Sequence, residues 1–125
     1  AKSGHLFIDF GNDEYTRGRP HPMIDPEVRD QALAEGLKDP EVGIILVDLV
    51  LGYGAHSDPA GHLVTSLPNA RANSPLVVAS VVGTDEDIQN RDSQVRSLEK
   101  AGILVAPSNA DAAAFALAWV QTRGE

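Results

Sequence analysis

The chain has 125 residues, the length of one ordinary domain, and its 42% apolar and 22% charged residues are typical of a soluble globular protein. Its formal net charge of -8 argues against a general nucleic-acid binder, because phosphate backbones select for basic surfaces. With no cysteine, the chain has no disulfide, thiolate metal site or cysteine nucleophile. No apolar run is long enough to cross a bilayer and no secretory signal is visible, so we expect a cytoplasmic protein without a membrane partner.

Four short apolar segments are predicted as strands, at residues 5–10, 42–51, 76–82 and 103–106. The second and third are rich in Val, Ile and Leu on both faces, as is typical of parallel strands with helices above and below. Segments with a helical pattern alternate with these runs. The sequence therefore predicts an α/β domain with a parallel four-stranded sheet.

The helical segments carry recognisable start signals. The first, at residues 26–38, follows DPE at 25–27, which supplies a cap, a proline at the first helical position and an acid. TDED at 84–87 and SNAD at 108–111 each place a hydroxyl three residues before an acid, which predicts two further helix starts. A weaker helix is expected within residues 58–73.

One connection, residues 11–24 (GNDEYTRGRPHPMI), is too polar for a strand and too rich in proline for a helix. Long loops of this kind inside α/β domains are often functional. Arg17, Arg19 and His21 lie within five positions, and arginine side chains match the geometry of carboxylates and phosphates. An equally good interpretation is a solvated loop whose arginines pair with its own acids.

The apolar segment 42–51 runs directly into Gly52, Tyr53, Gly54 and His56. A glycine loop followed by a helix start offers free backbone N–H groups, so it predicts a site for a phosphate or carboxylate, with His56 adding a hydrogen bond or a charge. The alternative is a tight turn with a solvated histidine. Because this loop and the arginine-rich loop both leave the carboxyl edge of the sheet, we expect them to converge.

Other titratable residues are candidates for a role in the same site. Asp48 lies inside an apolar run, so it is a candidate general base or a group that orients His56, the other candidate catalytic residue; pairing with an arginine is the alternative. No carboxylate lies at a recognisable ligand spacing from His21 or His56, so no metal site is expected. His5 and His62 are interpreted as a strand-start residue and a helix-surface residue.

Three segments carry a family resemblance: GRPHPMIDP at 18–26, LGYGAHSDPAG at 51–61 and GTDEDIQN at 83–90. In this order they resemble the FdrA proteins, distant relatives of the succinyl-CoA synthetase α subunit in the acyl-CoA synthetase superfamily. The resemblance covers essentially the whole chain. It implies a three-layer αβα flavodoxin-like fold and a single CoA-ligase-type domain over residues 1–125, taken from a longer chain.

The resemblance also implies an enzyme that acts on acyl or carbamoyl phosphates, an oxamate carbamoyltransferase subunit being one form of it. The loops at 17–21 and 52–56 would hold the anion, and Asp85 and Gln89, expected at the start of the third helix, would face the same cleft. Succinyl-CoA synthetases carry a phosphorylated histidine in the loop after the strand equivalent to 76–82. This chain has no histidine there, so that mechanism does not carry over.

Catalysis would then require other domains or subunits of the same enzyme, and this segment alone is expected to be inactive. The cofactor stays unknown, because any CoA or nucleotide would bind through those other domains. The rival interpretation is a non-catalytic subunit-assembly domain that kept the succinyl-CoA synthetase fold and lost the phosphohistidine.

Overall fold

The computed structural model describes residues 4–21, 23–67 and 74–122, which form an α/β arrangement around one parallel sheet. No helix among these residues has the length and apolarity needed to cross a membrane. The elements in chain order are α1 Asp13–Thr16, α2 Glu27–Lys38, β1 Ile44–Val50, α3 Pro59–Thr65, β2 Leu76–Val82, α4 Arg91–Lys100, β3 Leu104–Ala106 and α5 Asn109–Thr122.

The sheet has the order β1-β2-β3 in the described residues, and both pairings are parallel. Ile44 lies opposite Leu76 and Val50 opposite Val82, so β1 and β2 pair over their full length. β3 is shorter and pairs with the middle of β2. The parallel α/β class predicted from the apolar runs is confirmed, with three strands in place of four.

One face of the sheet, here named the covered face, carries the main core. Val47 and Leu49 of β1 pack there against side chains of α2, α3 and α4, including Leu33, Leu63 and Leu98. Leu49, Leu63 and Leu98 are each 0% exposed. Burial of this kind is the principal stabilising contribution in a domain of this size.

The opposite face, here named the open face, is contacted by α5. Ala112 of α5 packs there in a small cluster with buried residues of β2 and β3. Four apolar strand side chains on this face keep a large exposed fraction: Leu46 at 43%, Val50 at 41%, Val82 at 56% and Leu104 at 45%. Their exposure follows from strand alternation, because they point away from the helices of the covered face.

The segment at residues 5–10 is not a strand, so this part of the prediction is wrong. It has no regular secondary structure, and Leu6 and Phe7 are exposed. A local turn closes it: the carboxylate of Asp9 accepts a hydrogen bond from the Gly11 N–H, and the Asp9 carbonyl accepts one from the Asn12 N–H. An apolar run forms a strand only when a neighbouring strand satisfies its backbone, and here the backbone turns into α1 instead.

The helix predicted to begin at 84–87 begins later, at Arg91, with Asn90 as its N-cap. Asp87 accepts a hydrogen bond from the Thr84 N–H at 2.6 Å, and this pair forms a turn rather than a first helical turn. Asn90 adopts a φ of 52°, in the left-handed region that asparagine tolerates. The spacing that resembles a capping box therefore serves a tight turn here.

The starts of α5 and α3 agree with the sequence, whereas α2 begins one residue later than predicted, with Pro26 as its N-cap, and α1 forms within the segment 11–24, where no helix is expected. Ser108 donates to the Asp111 carboxylate at 2.8 Å and accepts from the Asp111 N–H at 3.1 Å, as a capping pair does. Asp58 caps α3 through the Gly61 N–H. The part of the predicted weak helix at 68–73 lies outside the described residues.

Candidate functional site

The loop beyond the carboxyl end of β1 contacts the segment that follows the arginine-rich loop. The glycine loop, residues 52–56, follows β1, and the arginine loop, residues 17–21, leads towards α2. The N–H of His56 donates to the carbonyl oxygen of Met23 at 2.7 Å, which ties the glycine loop to the segment that continues from the arginine loop. The structure therefore places the end of the glycine loop against Met23, two residues beyond His21.

The backbone of the glycine loop is open to solvent. Gly52 and Gly54 have φ values of +136° and +84°, which residues other than glycine rarely adopt. A Cβ added at either position would meet no atom within 4 Å. Backbone conformation, rather than crowding, therefore requires glycine here, and Tyr53 between them points its ring into solvent.

The side chain of Gln89 forms hydrogen bonds with the first and last residues of the glycine loop. Its side-chain Nε2 donates to the carbonyl oxygens of Gly52 at 3.0 Å and His56 at 3.1 Å. Its Oε1 accepts from the Gly52 N–H at 3.2 Å. Gln89 is buried, so it supports the loop from within the protein, and it precedes α4 rather than beginning it.

Asp85, the second residue expected to face a cleft from the start of this helix, instead organises the approach to α4. Its carboxylate accepts a hydrogen bond from the Asp92 N–H at 2.8 Å, and its carbonyl oxygen accepts from the Asn90 side chain at 2.9 Å. These are capping contacts, because they satisfy backbone groups that the helix leaves without partners.

The start of α3 keeps its N–H groups occupied, contrary to the expectation that they are free. The Ala60 N–H donates to Gln94 Oε1 at 2.8 Å, and the Gly61 N–H donates to Asp58 Oδ1 at 3.0 Å. Gln94 also donates to Asp58 at 2.8 Å. Because the Asp58 carboxylate already lies at this helix end, donors for an added anion come from the loops.

His62, on α3, forms a close pair with a buried carboxylate of α2. Its Nδ1 lies 2.6 Å from Asp30 Oδ2, while Arg29 Nε donates to Asp30 Oδ1 at 2.7 Å. The Asp30 side chain is 1% exposed and the His62 side chain 32%. A buried carboxylate needs such partners, because the charge is otherwise strongly disfavoured away from water.

The ring of His56 packs edge to face on the ring of His62, with 5.3 Å between the ring centroids. His56 Nδ1 accepts a hydrogen bond from the Asp58 N–H at 3.0 Å. His62 therefore belongs to the same cluster as His56, although the sequence predicts a helix-surface residue at this position. A local signal existed: Pro26, Asp30, Leu33 and Leu37 share one helical stripe, which places an acid on the buried face of α2.

His21 points back towards its own loop. Its Nδ1 accepts from the Met23 N–H at 3.1 Å. Its Nε2 lies so close to Gly11 that a Cβ there would come within 2.5 Å of it. His21 is exposed and lies in the same segment as Met23, the residue that contacts the glycine loop.

Arg17 and Arg19 have exposed side chains. Across the described ranges, the ion pairs are Arg29 with Asp30, His62 with Asp30 and Arg96 with Asp92, so neither arginine is paired with Asp13 or Glu14. A cavity of about 340 Å³ lies beside the arginine loop, lined by Gly18, Arg19, Pro20, Asp25, Glu27, Val28 and Gln31.

Asp48 belongs to the open face and not to the histidine cluster. Its carboxylate accepts a short hydrogen bond from the Ser80 hydroxyl and two from the Asn109 amide, both at 2.9 Å. It thereby links β1, β2 and the first residue of α5. The expectation that Asp48 orients His56 is therefore not met, since its hydrogen bonds in the described residues go elsewhere.

In the residues that the structure describes, no group of three or more His, Cys, Asp or Glu side chains is placed to hold a metal ion. The cluster consists of contacts between Asp30 and His62 and between the rings of His56 and His62. His56 also accepts a hydrogen bond from the backbone N–H of Asp58.

The parallel α/β fold and its glycine loop agree with the result of comparing the sequence with known protein families. Residues 1–119 match the CoA-ligase family. The chain belongs to this family, which confirms the relationship with succinyl-CoA synthetases and supports a ligase-related function. It is 41% identical over 111 residues to the uncharacterized protein YahF of Escherichia coli (strain K12), a match that covers 84% of this chain and 22% of YahF. The chain thus spans about a fifth of the length of that relative.

Proposed function

We propose that this CoA-ligase domain is part of an FdrA-like, succinyl-CoA-synthetase-related enzyme and binds a small anion of the acyl-phosphate or carbamoyl-phosphate type. The anion would lie at the rim where the glycine loop meets the segment of the arginine loop. An oxamate carbamoyltransferase subunit is the narrower form of this proposal. The observation that supports this location is the hydrogen bond from His56 to Met23, because Met23 lies two residues beyond His21 of the arginine loop.

The glycine loop supplies neutral donors. Among the described residues, no hydrogen bond uses the N–H of Tyr53 or of Gly54, whereas the N–H groups of Gly52, Ala55 and His56 are all engaged. Two adjacent free N–H groups in a solvent-open loop are suited to the oxygens of a phosphate or carboxylate. The positive φ at Gly54 allows the backbone to hold this shape without strain.

The arginine loop supplies charge. Arg17 and Arg19 are exposed cations in a chain with a net charge of -8, and neither has a carboxylate partner in the described part of the chain. A hydrogen bond between arginine and a phosphate oxygen contributes about 1.5–3 kcal/mol. One or two such contacts give a small anion useful affinity without a metal ion.

The binding test uses amide NMR spectra of the chain during titration with acetyl phosphate, carbamoyl phosphate, inorganic phosphate and CoA. We expect saturable shifts at Tyr53 and Gly54 with the phosphorylated compounds. The double variant Arg17→Gln, Arg19→Gln should weaken binding by about tenfold or more, the loss of at least one charged hydrogen bond. Arg96→Gln is the matched control, since Arg96 is an exposed arginine on α4 paired with Asp92.

Two results would contradict the proposal. One is the absence of a saturable shift in the glycine loop with any of the four compounds. The other is an equal loss of affinity in the Arg96→Gln control, because the arginine loop would then contribute only through the net charge of the protein.

A second candidate function, the subunit-assembly domain, is favoured by a different observation. Val50 and Val82, which are partners in the sheet, expose adjacent apolar surface on the open face, and surfaces of this kind often contact another domain or subunit. Sedimentation of the chain with and without Val50→Glu tests it. Self-association that the variant abolishes, together with no anion binding, would favour assembly over ligand binding.

A further inference from the structure

The two contacting histidines of the cluster each commit one ring nitrogen to a fixed partner. His62 uses Nδ1 for the Asp30 carboxylate, and His56 uses Nδ1 for the Asp58 N–H. The partners differ in kind, since a carboxylate only accepts hydrogen bonds and a backbone N–H only donates them. This difference fixes where the proton lies in each ring.

In His62 the proton on Nδ1 is retained whether the ring is neutral or charged, because it faces an acceptor at 2.6 Å. Nε2 is therefore the nitrogen that gains and loses a proton. Asp30 is buried and is also held by Arg29, so the carboxylate that orients the ring is itself fixed. A histidine oriented by a buried carboxylate in this way is the arrangement found in general bases.

In His56 the situation is reversed. Nδ1 accepts from the Asp58 N–H at 3.0 Å, so in the neutral ring the proton lies on Nε2. Placing a proton on Nδ1 would break this bond next to the N-cap of α3. His56 therefore presents a neutral N–H donor, and its ring contacts the ring of His62.

We infer that His56 and His62 are an acid–base pair with opposite tautomers, in which His62 Nε2 accepts a proton and His56 Nε2–H donates a hydrogen bond. Asp30 is the positioning residue of the pair. The pair lies at the end of the glycine loop, because His56 is the last residue of that loop. It therefore belongs to the same rim as the proposed anion site.

The reaction that this pair would support rests on the proposed function. In acyl or carbamoyl transfer, His62 Nε2 takes the proton from the attacking O–H, N–H or S–H group of the acceptor. A bond forms between the acceptor atom and the carbonyl carbon, while His56 donates to the carbonyl oxygen as negative charge develops there. The bond from this carbon to the phosphate oxygen then breaks, its electron pair leaves with phosphate, and the proton on His62 passes to solvent.

The tautomers are measured directly by long-range ¹H–¹⁵N NMR of the histidine rings at pH 9, where histidine side chains are neutral. We expect a proton on Nδ1 of His62 and on Nε2 of His56. Asp30→Asn should turn His62 into a mixture of tautomers, because an amide both donates and accepts. Asp92→Asn, at an exposed carboxylate of α4, should change neither ring.

Chemical reactivity gives a second readout on the same ring. Diethyl pyrocarbonate acylates unprotonated histidine nitrogens, and peptide mass spectrometry reports the rate at each site. At pH 9 we expect modification of His62 to slow in Asp30→Asn, because part of the molecules would then carry the ring proton on Nε2; exposed His5 is the internal standard.

The acid–base pair is overturned if His62 in the unsubstituted chain carries its proton on Nε2, or if its acylation rate relative to His5 is unchanged by Asp30→Asn. These readouts need no ligand, so they separate the inference from the proposed function. The expected tautomers without binding of any of the four compounds overturn the proposed function alone. Binding with the opposite tautomers overturns the pair alone.

Discussion

The two faces of the sheet differ sharply although the same strands build them. On β1, Leu49 is fully buried on the covered face, whereas its neighbour Val50 keeps 41% of its surface exposed on the open face. The covered face packs against three helices and the open face is contacted by α5. Strand alternation therefore converts an evenly apolar sequence into one strongly and one weakly stabilised side.

Each side also carries one polar cluster, and the two clusters are built differently. On the covered side Asp30 is buried and its partners, Arg29 and His62, come from the helices. On the open face Asp48 is exposed and its partners are Ser80 and Asn109. Asp30 and His62 thus lie on helices that pack against the main core, where fixed geometry is most easily maintained, while His56 joins them from the glycine loop.

The largest expected difference is between leucines on the two faces. Leu63→Ala should lower the free energy of unfolding by about 2–5 kcal/mol, because it leaves a cavity in a fully buried position. Leu46→Ala should lower it by less than about 1 kcal/mol, since this side chain is already half in water. Urea unfolding followed by circular dichroism measures both. Similar losses would mean that the open face is covered in solution.

A smaller effect is expected from the polar contacts that hold α3 on the covered side. Gln94→Ala removes the acceptor of the Ala60 N–H and a donor to Asp58, which should lower the free energy of unfolding by about 1–3 kcal/mol. The control is Gln31→Ala, whose exposed amide bonds only Glu27 within α2. Its expected loss is a few tenths of a kcal/mol, so equal losses would argue against a structural role for Gln94.

The smallest of the three effects should come from the polar cluster of the open face. Ser80→Ala removes one hydrogen bond to Asp48, which keeps Asn109 and water as partners, so we expect a loss of about 0.5–1.5 kcal/mol. Exposed Ser97 provides the control substitution to alanine. A loss larger than that of Gln94→Ala would break the comparison, because the open face would then hold the costlier polar contacts.

The sequence predicted the elements whose signals are local. The apolar runs located β1, β2 and β3, and the pair of Ser108 with Asp111 located the start of α5. The run at 5–10 is also mostly apolar, but it has no neighbouring strand in the described residues. Composition alone does not distinguish a paired strand from an unpaired segment.

The parts that could not be predicted depend on contacts between distant residues. The late start of α4 follows from residues 84–90 forming a turn, while Gln89 reaches back 37 positions to Gly52. His62 joins the site through Asp30, which lies 32 positions away. The hydrogen bonds of Asp48 to Ser80 and Asn109, 32 and 61 positions away, likewise have no signal in the local sequence.

Gln89 has one further consequence. Its amide is a rigid tie between the connections that leave two adjacent strands, because it is hydrogen-bonded to the residues at both ends of 52–56. Any displacement of residues 84–90 must either break these bonds or carry the glycine loop along with it. The shape of the rim beyond β1 is thus set in part by the segment that follows β2. Ile88 on that segment is exposed, so a contact at Ile88 that displaces residues 84–90 would also displace the glycine loop.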